Sequence, residues 1–353
     1  MTLVTMAADV VADNLGGMLN CFADVSKATT SLRVTVTALA VFLTVSFLTI
    51  SSGLCQESGS SELSPIDRQL ISATSNDDLK SVDRLLKQGA HIEARGSNGA
   101  TPLIIAAGNG NLALVNFLLD HGANPRSKDE QEETPLIHAA RSGNPAVVKV
   151  FLHHRHTFSE KNRALLTAAE GGPVVVQINS PSTAQPSAQH LRASESPWTK
   201  TVRLLLAEGA GLESRNTDGS TPLIIAASFA QTEIVTELLK RGANIAATDK
   251  NGNTALIAAA CECAVATMNR AYDVVKLLLA KGAKVNARSH DGTTALINAA
   301  GGFGDAAIVK LLLDHGANPF AKDSGGNTAL SWAVKKDSSE KAHLLKTAMA
   351  KSH

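Results

Sequence analysis

One seven-residue phrase recurs along this 353-residue chain. Thr101-Pro102-Leu103-Ile104-Ile105-Ala106-Ala107 returns as Thr134-Pro135-Leu136-Ile137-His138-Ala139-Ala140 and as Thr221-Pro222-Leu223-Ile224-Ile225-Ala226-Ala227. Shorter versions stand at Thr254-Ala255-Leu256, Thr294-Ala295-Leu296 and Thr328-Ala329-Leu330. The steps from 101 to 134 and from 221 to 254 are both 33 residues. A fixed period of that size marks a solenoid of stacked supersecondary units. Length alone would suggest two or three globular domains. The repeats overrule it, because a solenoid grows in one dimension.

The residues after each start recur as well. Val115-Asn116-Phe117-Leu118-Leu119 leads to Gly122-Ala123-Asn124, and Val235-Thr236-Glu237-Leu238-Leu239 to Gly242-Ala243-Asn244. Thr caps a helix start, and Pro occupies the first turn, where its missing N–H costs nothing. Leu and two Ala form a narrow apolar face that lets neighbouring helices approach closely. A short turn and a second helix with Val and Leu at helical spacing come next. Gly then ends the second helix in a left-handed cap. A polar hairpin such as Thr248-Asp249-Lys250-Asn251-Gly252 leads to the next unit.

The pattern resembles the ankyrin repeat, with its turn, two antiparallel helices and T-P-L-H-x-A signature. The resemblance runs from about residue 66 to about residue 350. It implies an all-α solenoid of about eight helix-turn-helix units with hairpin fingers, like bacterial exported ankyrin repeat-containing proteins. It also implies a scaffold that binds another protein, without cofactor or metal. One departure is consistent: Ile104, Ile137 and Ile224 replace the signature His, and His138 lies one position late. Apolar packing is expected to replace the polar tie that this His makes between neighbouring repeats.

The array has caps. Ile66 to Gly99 lacks Thr-Pro-Leu and is rich in Asp, Lys and Ser, as a polar N-terminal cap requires. The last unit, from Thr328, carries Lys335, Lys336, Lys341, Lys346 and Lys351, which reads as a solvated outer face. The third full unit is irregular. Arg163-Ala164-Leu165-Leu166-Thr167-Ala168-Ala169 aligns on the first helix, but its second helix waits until Thr201-Val202. From Ala169 to Val202 is 33 residues, where Ala107 to Val115 is 8, so 25 extra residues fall between Pro173 and Pro197. A loop this long is functional or disordered, and Val174–Ile178 has the composition of a short strand. The unit from Thr254 carries 7 extra residues, including Cys261 and Cys263.

Ahead of the array, Val34 to Ile50 is an uncharged apolar run of 17 residues, expected to be helical. Ser51-Ser52-Gly53 comes directly after it. Residues 1–55 therefore read as a signal peptide with leader, more ordinary if initiation is at Met18, or as a membrane anchor at the lower edge of bilayer length. Residues 56–65 read as a linker and 66–353 as the repeat domain. The expected location is exported, periplasmic or extracellular, with membrane attachment only through residues 34–50 if they are not cleaved. Cys55 after Leu54 is a poor match to a lipoprotein cleavage site, which wants a small residue before Cys.

Net charge is +1 and aromatics are 3% of the chain. Neither supports a nucleic-acid partner. No zincin, nucleophile-elbow or phosphate-loop motif is present. His153, His154 and His156 form the most ligand-like cluster. However, His121, His154 and His315 share one repeat position at the end of the second helix, where a histidine complements the helix dipole. Cys261-x-Cys263 is too short for an easy internal disulfide and lacks the second pair of a zinc site. A metal- or thiol-dependent enzyme using these groups is the alternative to a binding scaffold. The candidate partner-binding residues form a finger column of Arg95, Lys128, Asp129, Arg215, Asn216, Asp249, Lys250, Arg288, His290, Lys322 and Asp323, in which basic and acidic side chains stand next to each other.

Overall fold

The computed structural model describes residues 63–154, 156–172, 195–261, 268–302 and 306–351. They fall within the compact unit Ser61–His353. The apolar run 34–50, the strand expected over 174–178 and Cys263 lie outside the described residues. Sixteen helices are described, and they pair into eight units. The first unit is α1 (Pro65–Ser75) with α2 (Leu79–Lys87), and the second α3 (Pro102–Asn109) with α4 (Leu112–Asp120). Then come α5 (Pro135–Ser142) with α6 (Pro145–Leu152), and α7 (Phe158–Glu170) with α8 (Pro197–Ala207). The C-terminal half pairs α9 (Pro222–Ser228) with α10 (Thr232–Lys240), and α11 (Ala255–Ala259) with α12 (Met268–Ala280). It ends with α13 (Ala295–Gly301) and α14 (Ala306–Asp314), then α15 (Ala329–Lys335) and α16 (Ser339–Lys351). No helix among the described residues is long and apolar enough to cross a membrane.

Each first helix starts as its sequence dictates. Thr101, Thr221, Thr254 and Thr294 accept the N–H three residues on through their hydroxyls, at 3.3–3.4 Å. Thr134 makes no such bond, and its buried hydroxyl has no hydrogen-bond partner among the described residues. First helices pack on first helices and second on second, so one continuous core runs through the stack. Leu103, Leu136, Leu165, Leu223, Leu256 and Leu296 fill it, and Ala pairs such as Ala106–Ala107 line the close contacts. Ile104, Ile137 and Ile224 are buried, so apolar packing does replace the signature His.

The last unit corrects one expectation. Lys341 is not solvated: it is 3% exposed, and its ammonium donates to the Ala299 and Gly302 carbonyls at the end of α13. Carbonyls at a helix end carry the negative end of the helix dipole, which suits a cation. The same unit leaves Val334 60% exposed, where earlier units bury Ala107, Ala140, Ala227, Ala260 and Ala300.

The main departure lies between α6 and α7. Fourteen residues separate α4 from α5, but only five separate α6 from α7. The step from Thr134 to Arg163 is 29 residues rather than 33, so this unit has no finger. Its first helix is 13 residues long against 8 for α5, and the extra N-terminal turn and a half runs where a finger would start. A capping box between Thr157 and Glu160 opens that helix.

Candidate interaction surface

Six fingers stand along the first-helix side of the stack, at residues 95–100, 128–133, 215–220, 248–253, 288–293 and 322–327. Four of them are closed by one short polar side chain at the same position. Asp129 accepts the N–H groups of Gln131 and Glu133, and Asp249 those of Asn251 and Asn253. Asn216 accepts from Asp218 and Ser220, and Asp323 from Asn327. A side-chain oxygen thus organises the turn locally. The pKa values of Asp129 and Asp323 lie below the usual carboxylate range: burial opposes ionisation, but the donated hydrogen bonds outweigh it.

Successive fingers are also joined. The Glu130 N–H donates to the Asn98 carbonyl, Lys250 to Asp218, His290 to Asn251, and Ser324 to Asp291. Beside this backbone ladder, Arg95 donates to the Gly99 and Lys128 carbonyls, at 3.0 and 2.7 Å. Arg215 does the same to Gly219 and Thr248, both at 2.6 Å, and Arg288 reaches the Lys322 carbonyl. Three of the basic residues in the finger column are therefore ties between fingers. Lys128 pairs with Glu132 at 2.5 Å. Lys250, His290 and Lys322 make no side-chain hydrogen bond or ion pair with the described residues and stand exposed.

A second strip was missed from sequence. It lies on the first helices, four residues after the repeat Thr, and reads Ile105, His138, Thr167, Ile225, Ala258, Asn298 and Trp332; all are half-buried except Ile225, which is buried. His138 Nε2 lies 2.8 Å from Asp129, and Trp332 Nε1 donates to Asp323 at 2.8 Å, so the strip borders the fingers. Phe229 stands 43% exposed at the end of α9, and the Lys335 ammonium sits 5.0 Å from the Trp332 ring centroid. The signal was available: the core positions repeat from unit to unit, while this position changes in almost every one.

Asp129, Glu133 and His138 bring three possible metal-ligand atoms within 4.8 Å. The arrangement has a simpler account. Trp332 makes the same bond to Asp323 that His138 makes to Asp129, and an indole nitrogen is only a donor. Glu133 is held by Arg141 at 2.9 Å and faces Arg163 at 3.8 Å, so two cations border the place a metal would take. His138, one position late for the signature, thus restores a polar tie within its own unit. His153, His154 and His156 join no three-ligand group among the described residues. His121 and His315 accept the helix-end role: each ring Nδ1 meets a last-turn carbonyl at 2.8 Å. Cys261 is disulfide-bonded, and the chain's other three cysteines lie outside the described residues.

A model of ankyrin repeats matches the chain in three copies, over residues 70–175, 190–289 and 263–351. The chain belongs to the ankyrin repeat family. No curated protein matches it. Ankyrin repeats suggest a protein-interaction scaffold, and proteins built from them are generally binding scaffolds rather than enzymes.

Proposed function

We propose that this ankyrin-repeat protein is a scaffold that binds another protein along the first-helix strip and the finger tips. The carrying observation is the contrast within each unit: the Leu and Ala positions of the core repeat, whereas the strip changes from Ile to His, Thr, Ala, Asn and Trp. Invariant packing with a variable surface is what a recognition surface on a solenoid needs. Phe229 and Trp332 supply aromatic anchors, of the type enriched at interface hot spots. Within the finger column, Lys250, His290 and Lys322 have polar atoms available to a partner. Asp129, Asn216, Asp249 and Asp323, and the guanidiniums of Arg95, Arg215 and Arg288, shape the fingers and act on a partner mainly through that shape.

The export reading is proposed alongside it, supported by the uncharged run 34–50 and the small residues after it. The partner is then a protein of the cell envelope or beyond it.

A photo-crosslinking residue placed at Phe229, Lys250 or Trp332, and in parallel at Lys149 and Lys276 on the second helices, tests the surface in source cells. Discrete crosslinked species from the first three positions alone are expected. Equal crosslinking from Lys149 and Lys276, or none from the strip, overturns the assignment. Fractionation tests the location: full-length chain in the soluble cytoplasm overturns export.

A further inference from the structure

The fingerless joint buries a histidine that the binding surface does not use. His156 lies between α6 and α7, and its ring is 0% exposed. Nε2 is 2.9 Å from the Phe151 carbonyl, in the last turn of α6, so the neutral ring carries its proton there and donates. Nδ1 is buried with no hydrogen-bond partner among the described residues. The Glu160 carboxylate of α7 lies 3.6 Å from it. That carboxylate already accepts from the Thr157 N–H at 2.7 Å and hydroxyl at 3.0 Å. A second proton on the ring makes a buried cation. Glu160 favours it, while Arg126 and His154 oppose it. Burial dominates and holds His156 below the usual histidine range.

We propose that this joint is an acid-sensitive latch, in which protonation of His156 frees the α7 extension from the end of α6. The extension holds the surface together across the gap. Arg163 donates to the Glu132 carbonyl of the preceding finger, and Asn162 accepts the Gly211 N–H of the following loop. Opening it divides the strip between His138 and Ile225 and weakens any partner that spans both halves. Release of a partner rests on the scaffold reading; the opening does not.

The folded joint favours the neutral ring, so it binds fewer protons than the open one. Its stability is complete above the open-state pKa, about 6.5, and falls as pH drops below that, levelling once the folded ring is charged.

Hydrogen exchange on the full chain without a partner tests it between pH 7.5 and 5.0, after correction for intrinsic rates. Amides of 147–152 and 158–163 should open about tenfold more often for each unit by which the folded pKa lies below the open-state value. Amides of 223–227 should not change. His156→Gln keeps a donor for Phe151 but cannot ionise, and should abolish the rise. His154→Gln should keep it. Glu160→Gln retains the capping box but removes the counter-charge, and should deepen the acid effect. No rise in the unmodified chain, or an equal rise in His156→Gln, overturns the latch. If His156→Gln does not fold, an unchanged acid response in Glu160→Gln overturns it instead.

Discussion

Two kinds of joint hold this array together. Between most fingers the tie is backbone to backbone, as between Lys250 and Asp218, and an Arg from the preceding finger adds a second bond at three of the joints. Between the finger at 128–133 and that at 215–220 the described residues form no ladder. Three consecutive side chains of α7 replace it: Lys161 on the Glu208 carbonyl, Asn162 on the Gly211 N–H and Arg163 on the Glu132 carbonyl. Glu93, Glu213 and Asn286 receive the equivalent loop N–H groups at the regular joints. The same backbone groups are satisfied at both kinds of joint, but one kind depends on side chains that a substitution can remove. A backbone ladder survives most substitutions.

The largest effect tests whether a core break spreads past its neighbours. Leu223 is 1% exposed in the first unit after the irregular one. Leu223→Ala should cost about 2–5 kcal/mol through the cavity it leaves. Leu223→Asp should cost more, because it buries an unpaired charge. Hydrogen exchange should show 221–240 opening while 295–345 stays protected, as nearest-neighbour coupling requires. Uniform loss from Thr101 to Leu330 would instead make the array one cooperative block.

Next comes the direct comparison of joints. Removing Asn162 and Arg163 together, by alanine, should cost about 1–3 kcal/mol, because the Gly211 N–H loses its Asn162 acceptor and the described residues form no ladder there. Arg215→Ala should cost less, about 0.5–1.5 kcal/mol, because the Lys250–Asp218 bond persists. Urea melts of the two variants read the difference. Equal losses would mean that the ladder contributes little.

A third test concerns the second-helix side, where Glu237 of α10 binds Arg203 of α8 and Arg241 of its own helix. Their hydrogen bonds lower its pKa to about 2. The folded value is depressed, so this stability is present above the unfolded pKa of about 4.3 and is lost as pH falls through the folded value. Glu237→Gln should cost about 1–2 kcal/mol at neutral pH, reduced by the exposure of Arg203. It should also flatten the acid limb of stability between pH 4.5 and 2, read by thermal melts. An unchanged limb would show that other carboxylates set it.

Finger geometry gives a smaller contrast. Gly219 has φ +77°, and an added Cβ would meet the Lys250 backbone N at 3.0 Å. Glu132 occupies the matching position with φ 59°, at the finger whose next neighbour is the fingerless unit. Gly219→Ala should cost more than about 1 kcal/mol, whereas Glu132→Gly should stay within about 0.5 kcal/mol of the parent. Similar losses from both would remove crowding by the next finger as the cause.

The smallest effect is expected from shortening the insertion. Its two ends are anchored: Gly172 lies against the Trp198 ring, with no room for a Cβ, and the Ser196 N–H donates to Glu233. Halving the segment 173–194 should change loop closure by about 0.6 kcal/mol. A larger drop in melting temperature would show that the segment packs on the array.

The sequence alone determined the architecture, because each unit states its own local physics. Thr and Pro start a helix, Leu and paired Ala limit what can pack on it, Gly ends its partner, and these signals need no distant contact. The insertion was legible for the same reason, as a gap in a known spacing. The missing finger was written there too, as 29 residues between Thr134 and Arg163, but its consequence was not. Whether four lost residues shorten a turn or extend a helix depends on what the neighbouring units leave unsatisfied. Only the stack decided that Arg95, Arg215 and Arg288 face the next finger's carbonyls, that Lys341 turns inward onto the end of α13, and that His156 is sealed between two helices. A long side chain on a repeat surface can turn outward to water or sideways to its neighbour. The choice rests on carbonyls some 33 residues away, which become adjacent only when the units stack.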